Sequence, residues 1–233
     1  MKMIECSEII KQFGKPPLTV LNSISFDIFK GDFIGVTGRS GSGKSTLLYV
    51  VSGLDTITSG TVLIGGENIH TMEQSRVHIF RNTRLGFIFQ FHYLLPELSC
   101  FDNILMPARK FGYEKEKESY AEELLEEFNI GYCKNKFPSQ ISGGEQQRVA
   151  IARSLIMKPE ILFADEPTGN LDSENAEKVM QIFAKINQKY QTTIMMVTHE
   201  DDFAERGNRW IHLKDGEIVS EKKTGSSNMP KGE

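Results

Sequence analysis

The chain contains the segment Gly38-Arg39-Ser40-Gly41-Ser42-Gly43-Lys44-Ser45, which fits the pattern G-x-x-x-x-G-K-[ST] and determines how the other motifs are interpreted. It follows the apolar run from Phe33 to Thr37 and precedes a helix-like stretch from Ser45 to Val51. Where a glycine-rich loop joins a buried strand to a helix, the backbone N–H groups of the loop can point at phosphate oxygens, and the helix N-terminus adds partial positive charge. We therefore expect Lys44 to reach the β- and γ-phosphates of a nucleotide, with the Ser45 hydroxyl as a Mg²⁺ ligand.

A second apolar run, Ile161-Leu162-Phe163-Ala164, ends in Asp165 and Glu166. A buried parallel strand delivers its last side chains to the carboxyl edge of the sheet, where ligands of such folds bind. Asp165 can hold Mg²⁺ directly or through water, and Glu166 can polarise the attacking water. A strand that ends in acids is common by itself, but together with the phosphate-binding segment it predicts nucleotide hydrolysis.

A third motif, Ser142-Gly143-Gly144-Glu145-Gln146-Gln147, precedes the helix-like stretch from Arg148 to Arg153. One interpretation is structural, with the serine as the helix N-cap and the glycines as a turn. The other is a second anion-binding helix N-terminus. One chain therefore has two candidate anion-binding helix N-termini but only one acidic strand end among its predicted motifs. This combination suggests that two chains pair and share two nucleotides.

Two polar residues follow further apolar stretches. His199 comes directly after the stretch from Thr192 to Thr198, so it lies at the carboxyl end of a predicted strand. A lone histidine there is more often structural, but in this context it can donate a hydrogen bond to a γ-phosphate. Gln90 ends the apolar stretch from Leu85 to Phe89 and by itself would be interpreted as a surface amide.

The remaining pattern predicts an α/β fold. An amphipathic helix from about Glu174 to Lys189 separates the apolar runs at 161–164 and 193–197, and this spacing implies right-handed crossovers and a mainly parallel sheet. The alternating run from Leu21 to Ile28 and the β-branched run from Thr61 to Ile64 predict additional strands, and residues 70 to 157 are largely helical in character.

Composition narrows the function classes. The 233 residues carry a net charge of −4, whereas proteins that bind nucleic acid usually carry basic surface patches. The charge therefore gives no support for nucleic-acid binding. No apolar run approaches the roughly 18–20 residues that cross a bilayer. The three cysteines, Cys6, Cys100 and Cys133, have no metal-ligand spacing and predict buried or incidental thiols in a reducing compartment, the cytoplasm by default.

From about Ile4 to Val219, these motifs together resemble the ATP-binding cassette (ABC) ATPase family. The match comprises the P-loop (Gly38–Ser45), the Q-loop (Gln90), the signature (Ser142-Gly143-Gly144-Glu145-Gln146), the acidic strand end, the D-loop (Gly169-Asn170-Leu171-Asp172) and the H-loop (His199). The resemblance implies one nucleotide-binding domain over residues 1–223. Its P-loop core would carry an antiparallel β part and a helical insert at roughly 90–157, with a flexible tail at 224–233.

The family pattern also implies roles for individual residues. The catalytic residues would be Glu166, His199 and Gln90, and the metal ligands Ser45, Gln90 and Asp165. ATP would be bound by Gly38, Arg39, Ser40, Gly41, Ser42, Gly43, Lys44, Ser45, Thr46, Ser142, Gly143, Gly144 and Asp172, with Phe13 stacked on the adenine where the family more often has tyrosine. The implied partners are a second copy of the chain, head to tail with ATP between P-loop and signature, and two transmembrane permease subunits.

Within the family, the segment Phe91-His92-Tyr93-Leu94-Leu95-Pro96 is most similar to ATPases of bacterial lipoprotein-releasing systems. Macrolide- or peptide-efflux ATPases and the cell-division ATPase share much of the remaining pattern and stay as alternatives. The two departures, Lys136 where relatives often have histidine and Ile141 where they have leucine, do not touch the chemistry. The resemblance implies a peripheral subunit on the cytoplasmic face of the inner membrane that powers lipoprotein release.

Rival functions lack support in the sequence. ABC proteins that act on nucleic acid or ribosomes usually carry two cassettes or long basic insertions, and a P-loop kinase needs neither a signature nor an H-loop. The apolar cluster around Gln90 has two interpretations. It packs in the core, or it lines a groove for a cytoplasmic helix of the membrane partner, with Phe89, Phe91, Tyr93, Leu94, Leu95 and Leu98 as the candidates.

Overall fold

The computed structural model describes residues 1–223, so the predicted tail at 224–233 lies outside the described residues. Within them the strands are β1 (Lys2–Phe13), β2 (Leu18–Phe29), β3 (Phe33–Thr37), β4 (Ser59–Ile64), β5 (Glu67–Asn68), β6 (Leu85–Phe89), β7 (Ile161–Asp165), β8 (Thr193–Val197), β9 (Arg209–Lys214) and β10 (Glu217–Lys223). The helices are α1 (Lys44–Val51), α2 (Gln74–Arg84), α3 (Cys100–Arg109), α4 (Glu114–Glu127), α5 (Gly143–Leu155), α6 (Ser173–Tyr190) and α7 (Asp201–Ala204).

The larger sheet has the strand order β10-β9-β3-β8-β7-β6, and all neighbours except β9 and β10 are parallel. Strands β3, β7 and β8 are buried at every residue, as expected for parallel strands that are covered on both faces. The predicted α/β fold with a mainly parallel sheet is therefore confirmed, and the carboxyl ends of β3, β6, β7 and β8 meet at one edge.

Alternate residues of the buried strands enter two different hydrophobic cores. Ile161 and Phe163 pack with α1 and the antiparallel sheet β2-β1-β4-β5, which is the predicted β part. Leu162 and Ala164 pack with residues of α3, α4, α5 and α6. The parallel sheet therefore lies between a β layer and a helical layer, and α1 is buried next to the P-loop.

The main difference from the sequence analysis is β6, a parallel edge strand inside the region that we expected to be largely helical. Its register places Phe89 opposite Asp165, so Gln90 and Glu166 both follow paired strand ends. The helical part consists of α3, α4 and α5, while the single-domain boundaries stay a prediction. Among residues 1–223, no helix combines the length and apolar character needed to cross a bilayer.

All three cysteines are buried and unpaired, as predicted. Cys6 lies on β1, Cys100 begins α3, and Cys133 lies in the short 3-10 turn at Gly131–Cys133. Burial raises the pKa of the Cys100 thiol to about 11, so at neutral pH it stays protonated and unreactive.

Candidate active site

The P-loop connects β3 to α1 with a backbone that only glycine adopts readily. Gly38, Gly41 and Gly43 have φ values of 151°, 79° and 99°. A Cβ atom on Gly38 would collide with the carbonyl oxygen of Leu213, and one on Gly43 would lie 2.9 Å from the carbonyl oxygen of Val20. The loop can therefore follow its path only with glycine at these positions, and its tip, Arg39 to Gly41, is exposed to solvent.

The polar groups inside the loop are suited to receive phosphate. Lys44 is buried, and its Nζ donates hydrogen bonds to the carbonyl oxygens of Gly38 (2.8 Å) and Arg39 (3.2 Å). The hydroxyl of Ser42 is buried without a hydrogen-bond partner in the described chain. An ammonium that contacts only carbonyls, together with an unsatisfied hydroxyl, fits a loop that completes its hydrogen bonds with an anion. The neighbouring Thr46 is half-buried on α1.

The acidic end of β7 is held by the first turns of α1. Ser45 Oγ donates to Asp165 Oδ1 at 2.9 Å, and the hydroxyl of Tyr49 donates to Asp165 Oδ2 at 2.8 Å. Hydroxyl and carboxylate oxygens are ligands that Mg²⁺ prefers, and here they lie within hydrogen-bond distance of each other beside the P-loop. The residues present therefore fit a magnesium ion. Tyr49 was not among the residues predicted from the sequence, although its position four residues after Ser45 puts both side chains on one helical face.

Glu166 and His199 come together at the ends of β7 and β8. His199 Nδ1 lies 2.7 Å from Glu166 Oε2, and the backbone N–H of His199 donates to the same oxygen at 3.3 Å. Glu166 has a φ of 48°, and its backbone N–H donates to the carbonyl of Val197. A positive φ in a residue that is not glycine is strained, and such strain concentrates at functional sites.

Gln90 lies at the same sheet edge but contacts the D-loop. Its Nε2 donates to Asn170 Oδ1 at 3.2 Å, and Asn170 Nδ2 donates back to the Gln90 carbonyl at 3.1 Å. In the described chain no hydrogen bond joins Gln90 to Ser45 or Asp165. The paired amides tie the segment after β6 to the segment after β7, and the catalytic and metal-binding roles of Gln90 stay predictions.

The signature serine caps α5 and is enclosed by hydrogen bonds with one carboxylate. Ser142 Oγ accepts from the Glu145 N–H at 3.3 Å and donates to Glu145 Oε2 at 2.7 Å, while the Ser142 N–H donates to that oxygen at 2.6 Å. The Tyr132 hydroxyl donates to the other oxygen. These hydrogen bonds lower the pKa of Glu145 to about 2, and the hydrogen bond from Tyr132 makes the largest contribution. Ser142 and Gly143 are exposed, so the capped helix end faces solvent.

The D-loop aspartate lies next to the signature. Asp172 is the N-cap of α6, and its carboxylate accepts hydrogen bonds from the backbone N–H of Asn175 (2.9 Å) and from Asn175 Nδ2 (2.8 Å). A Cβ atom on Gly144 would lie 2.5 Å from Asn175 Oδ1, so the two helix starts pack closely. Phe13, the predicted adenine-stacking residue, ends β1 and is 44% exposed, and Lys11 Nζ lies 4.6 Å from the centroid of its ring.

Comparison with known proteins agrees with this geometry. Residues 21–169 match the ABC transporter family, and the chain belongs to this family of ATPases. It is 52% identical over 217 residues to the lipoprotein-releasing system ATP-binding protein LolD of Leptospira interrogans, covering 93% of this chain and 91% of the relative. The LolD protein of Aquifex aeolicus is 48% identical over 203 residues, covering 87% of this chain and 90% of the relative.

Solved structures of ABC transporter cassettes also resemble this chain. The dimeric structure of the ABC transporter cassette MJ0796 superposes with a TM-score of 0.87 at 37% identity, covering 95% of this chain and 99% of that one. A dimeric post-hydrolysis state of MJ0796 bound to ADP and Pi superposes with a TM-score of 0.84 at 35% identity, with the same coverage of both chains. These relatives support nucleotide binding and pairing of two cassettes.

Proposed function

We propose that this chain is the ATP-hydrolysing subunit of an ABC transporter that releases lipoproteins from the inner membrane towards the outer membrane. Two copies would pair with two transmembrane subunits at the cytoplasmic face. The observation that carries the hydrolytic part is the set of direct contacts at one sheet edge, from Ser45 to Asp165 and from Glu166 to His199. Similarity to LolD proteins over nearly the whole chain supports the lipoprotein client.

In this proposal the phosphates of ATP lie in the P-loop. Lys44 turns its ammonium from the Gly38 and Arg39 carbonyls to the phosphate oxygens, and the Ser42 hydroxyl gains the partner that it lacks. Ser45 and Asp165 would hold Mg²⁺, which would neutralise charge on the β- and γ-phosphates.

Glu166 accepts the proton of the attacking water as a general base. The hydrogen bond from His199 holds the Glu166 carboxylate in one orientation at the carboxyl end of β7. His199 is 62% exposed on its side chain, whereas Glu166 is only 18% exposed, so the histidine can also face a γ-phosphate from the solvent side.

The second half of each ATP site comes from the other copy. The exposed N-terminus of α5, with Ser142 and Gly143, binds the γ-phosphate held by the partner's P-loop, because a helix N-terminus favours negative charge. Asp172 of the D-loop lies beside this helix start and contributes to the same half of the ATP site. Phe13 stacks on the adenine, a role that needs an aromatic face rather than a hydroxyl.

The membrane subunits would dock on the apolar segment that follows Gln90. Phe91, Tyr93 and Leu95 are 62%, 65% and 41% exposed, which agrees with a binding surface rather than with core packing. Arg153 on α5 donates to the carbonyls of His92 (2.7 Å) and Tyr93 (2.6 Å) and so fixes the segment to the signature helix. Leu94, by contrast, packs against the helical core.

Tyr93→Glu and Leu95→Glu test the docking part of the proposal. Each variant should fold and bind ATP like the wild type, because these side chains are exposed in the isolated chain. Assembly with the membrane subunits and lipoprotein release should fail, since a buried unpaired carboxylate costs several kcal/mol. The measurement is co-purification from native membranes with mass spectrometry of the partners, followed by a release assay.

Val219→Glu on β10 is the matched control, because Val219 is 54% exposed and lies at the other edge of the sheet. This variant should assemble and release lipoprotein normally. Unfolding of both test variants would mean that Tyr93 and Leu95 belong to the core. Normal assembly and release would place docking elsewhere.

A further inference from the structure

Both carboxylate oxygens of Asp165 are held by the same helix. Ser45 Oγ donates to Oδ1 at 2.9 Å and the Tyr49 hydroxyl donates to Oδ2 at 2.8 Å. The two donors lie four residues apart and therefore on one face of α1. Because α1 starts directly from the P-loop, these contacts connect the position of the carboxylate to the phosphate-binding loop.

The environment of Tyr49 suits a fixed hydrogen-bond donor. Its ring is half-buried and packs against the core beneath the P-loop. Rotation of a carboxylate about its terminal torsion is only weakly restricted by its own bonds. The Tyr49 hydroxyl, by donating to Oδ2, therefore keeps the carboxylate in the orientation in which Oδ1 faces Ser45.

We propose that Tyr49 is a positioning residue for magnesium: it holds Oδ2 of Asp165 so that Oδ1 faces the Ser45 hydroxyl. The inference rests on the proposed function, in which Ser45 and Asp165 hold Mg²⁺. Carboxylates that bind metal depend on such outer hydrogen bonds, and loss of one typically weakens metal affinity by about 10–100-fold. Tyr49 itself touches neither the nucleotide nor the metal in this account.

Tyr49→Phe removes the hydroxyl and leaves the packed ring. Binding of a fluorescent ATP analogue should stay within about twofold of wild type in EDTA, since the P-loop contacts remain. In a Mg²⁺ titration, the concentration that gives half of the metal-dependent gain in nucleotide affinity should rise about tenfold. The Mg²⁺ dependence of ATP hydrolysis should shift by the same factor, and Tyr49→Leu, which also lacks the hydroxyl, should show the same shift.

Tyr190→Phe is the matched control, because the Tyr190 hydroxyl also donates to a carboxylate, Glu127 Oε2, at 2.7 Å. Its Mg²⁺ dependence should follow the wild type, whatever the change in melting temperature.

Two results would overturn the proposal. One is an unchanged Mg²⁺ dependence in Tyr49→Phe. The other is an equal loss of nucleotide affinity with and without Mg²⁺, which would give Tyr49 a packing role only. A wild type without any Mg²⁺ dependence would instead remove the metal role of Ser45 and Asp165, on which the proposal rests.

Discussion

The two halves of the proposed nucleotide site differ in how they are held. The P-loop half is connected inside one chain, because Ser45 and Tyr49 on α1 hold Asp165 and His199 holds Glu166. The signature half is exposed, and Ser142 makes its side-chain hydrogen bonds with the carboxylate and backbone of Glu145. This difference fits the proposal that the first half binds nucleotide by itself, whereas the second is a stable helix end that meets a phosphate held by the partner chain.

The physical reason lies in the capping of α5. Ser142 and Glu145 satisfy N–H groups that a helix start leaves without partners, so α5 is stable without a bound anion. Apart from the chain neighbours of Gly143 and the backbone of α5, no atom of residues 1–223 lies within 4 Å of the place where a Cβ atom on Gly143 would be, so the approach to the helix end is open.

The largest effect is expected in the P-loop half, from Glu166→Gln. The variant should bind ATP with near-normal affinity and hydrolyse it at least ~10²-fold more slowly, because only the water-activating carboxylate is lost. It should also accumulate as an ATP-bound dimer, measured by size-exclusion chromatography. The control is the same substitution at the exposed Glu205. Near-wild-type hydrolysis in Glu166→Gln would remove this residue from its assigned role.

An intermediate effect is expected in the signature half, from Ser142→Arg. Equilibrium binding should give a nucleotide affinity within about twofold of wild type, since the P-loop is untouched, while steady-state hydrolysis should fall at least about tenfold because the added side chain blocks the helix end. Ser139→Arg adds the same charge at an exposed position just before the signature and should hydrolyse normally. Weakened nucleotide binding in Ser142→Arg would indicate that the two halves are coupled within one chain.

The smallest effect is expected for the D-loop cap. Asp172→Ala should lower the free energy of unfolding by about 1 kcal/mol, because α6 loses its N-cap, whereas Asp172→Asn keeps a capping side chain and should stay near wild type. Urea denaturation measures both changes. If Asp172 also contributes to the nucleotide site, Asp172→Asn should hydrolyse ATP severalfold more slowly despite its normal stability. Full activity in Asp172→Asn would leave the residue a cap only.

The sequence predicted the parts of the fold that depend on local pattern. Strands β3 and β8 have the bounds that their apolar runs indicate, and α6 follows its amphipathic period. The strand β6 was not recognised, because five residues between helices carry little periodic signal and the partner β7 is distant in the chain.

The residue roles divide in the same way. The P-loop and the acids at the end of β7 are each motifs of consecutive residues. Both follow parallel strands and therefore lie at the carboxyl edge of one sheet, so their proximity could be predicted. The contact of Tyr49 with Asp165 and that of Tyr132 with Glu145 join residues that no motif links. Such pairs depend on how helices pack, which a single sequence does not reveal.

Mixed dimers of a Lys44→Ala chain and a Ser142→Arg chain show whether the signature acts on the nucleotide bound by the partner chain. Each variant alone should hydrolyse ATP much more slowly than the wild type, since every site in its homodimer is damaged. The purified heterodimer contains one intact site, with the P-loop from the Ser142→Arg chain and the signature from the Lys44→Ala chain. ATP hydrolysis by this heterodimer should lie well above that of either parent variant. Hydrolysis no higher than the parents', with heterodimers shown to form, would contradict the sharing of independent sites between chains.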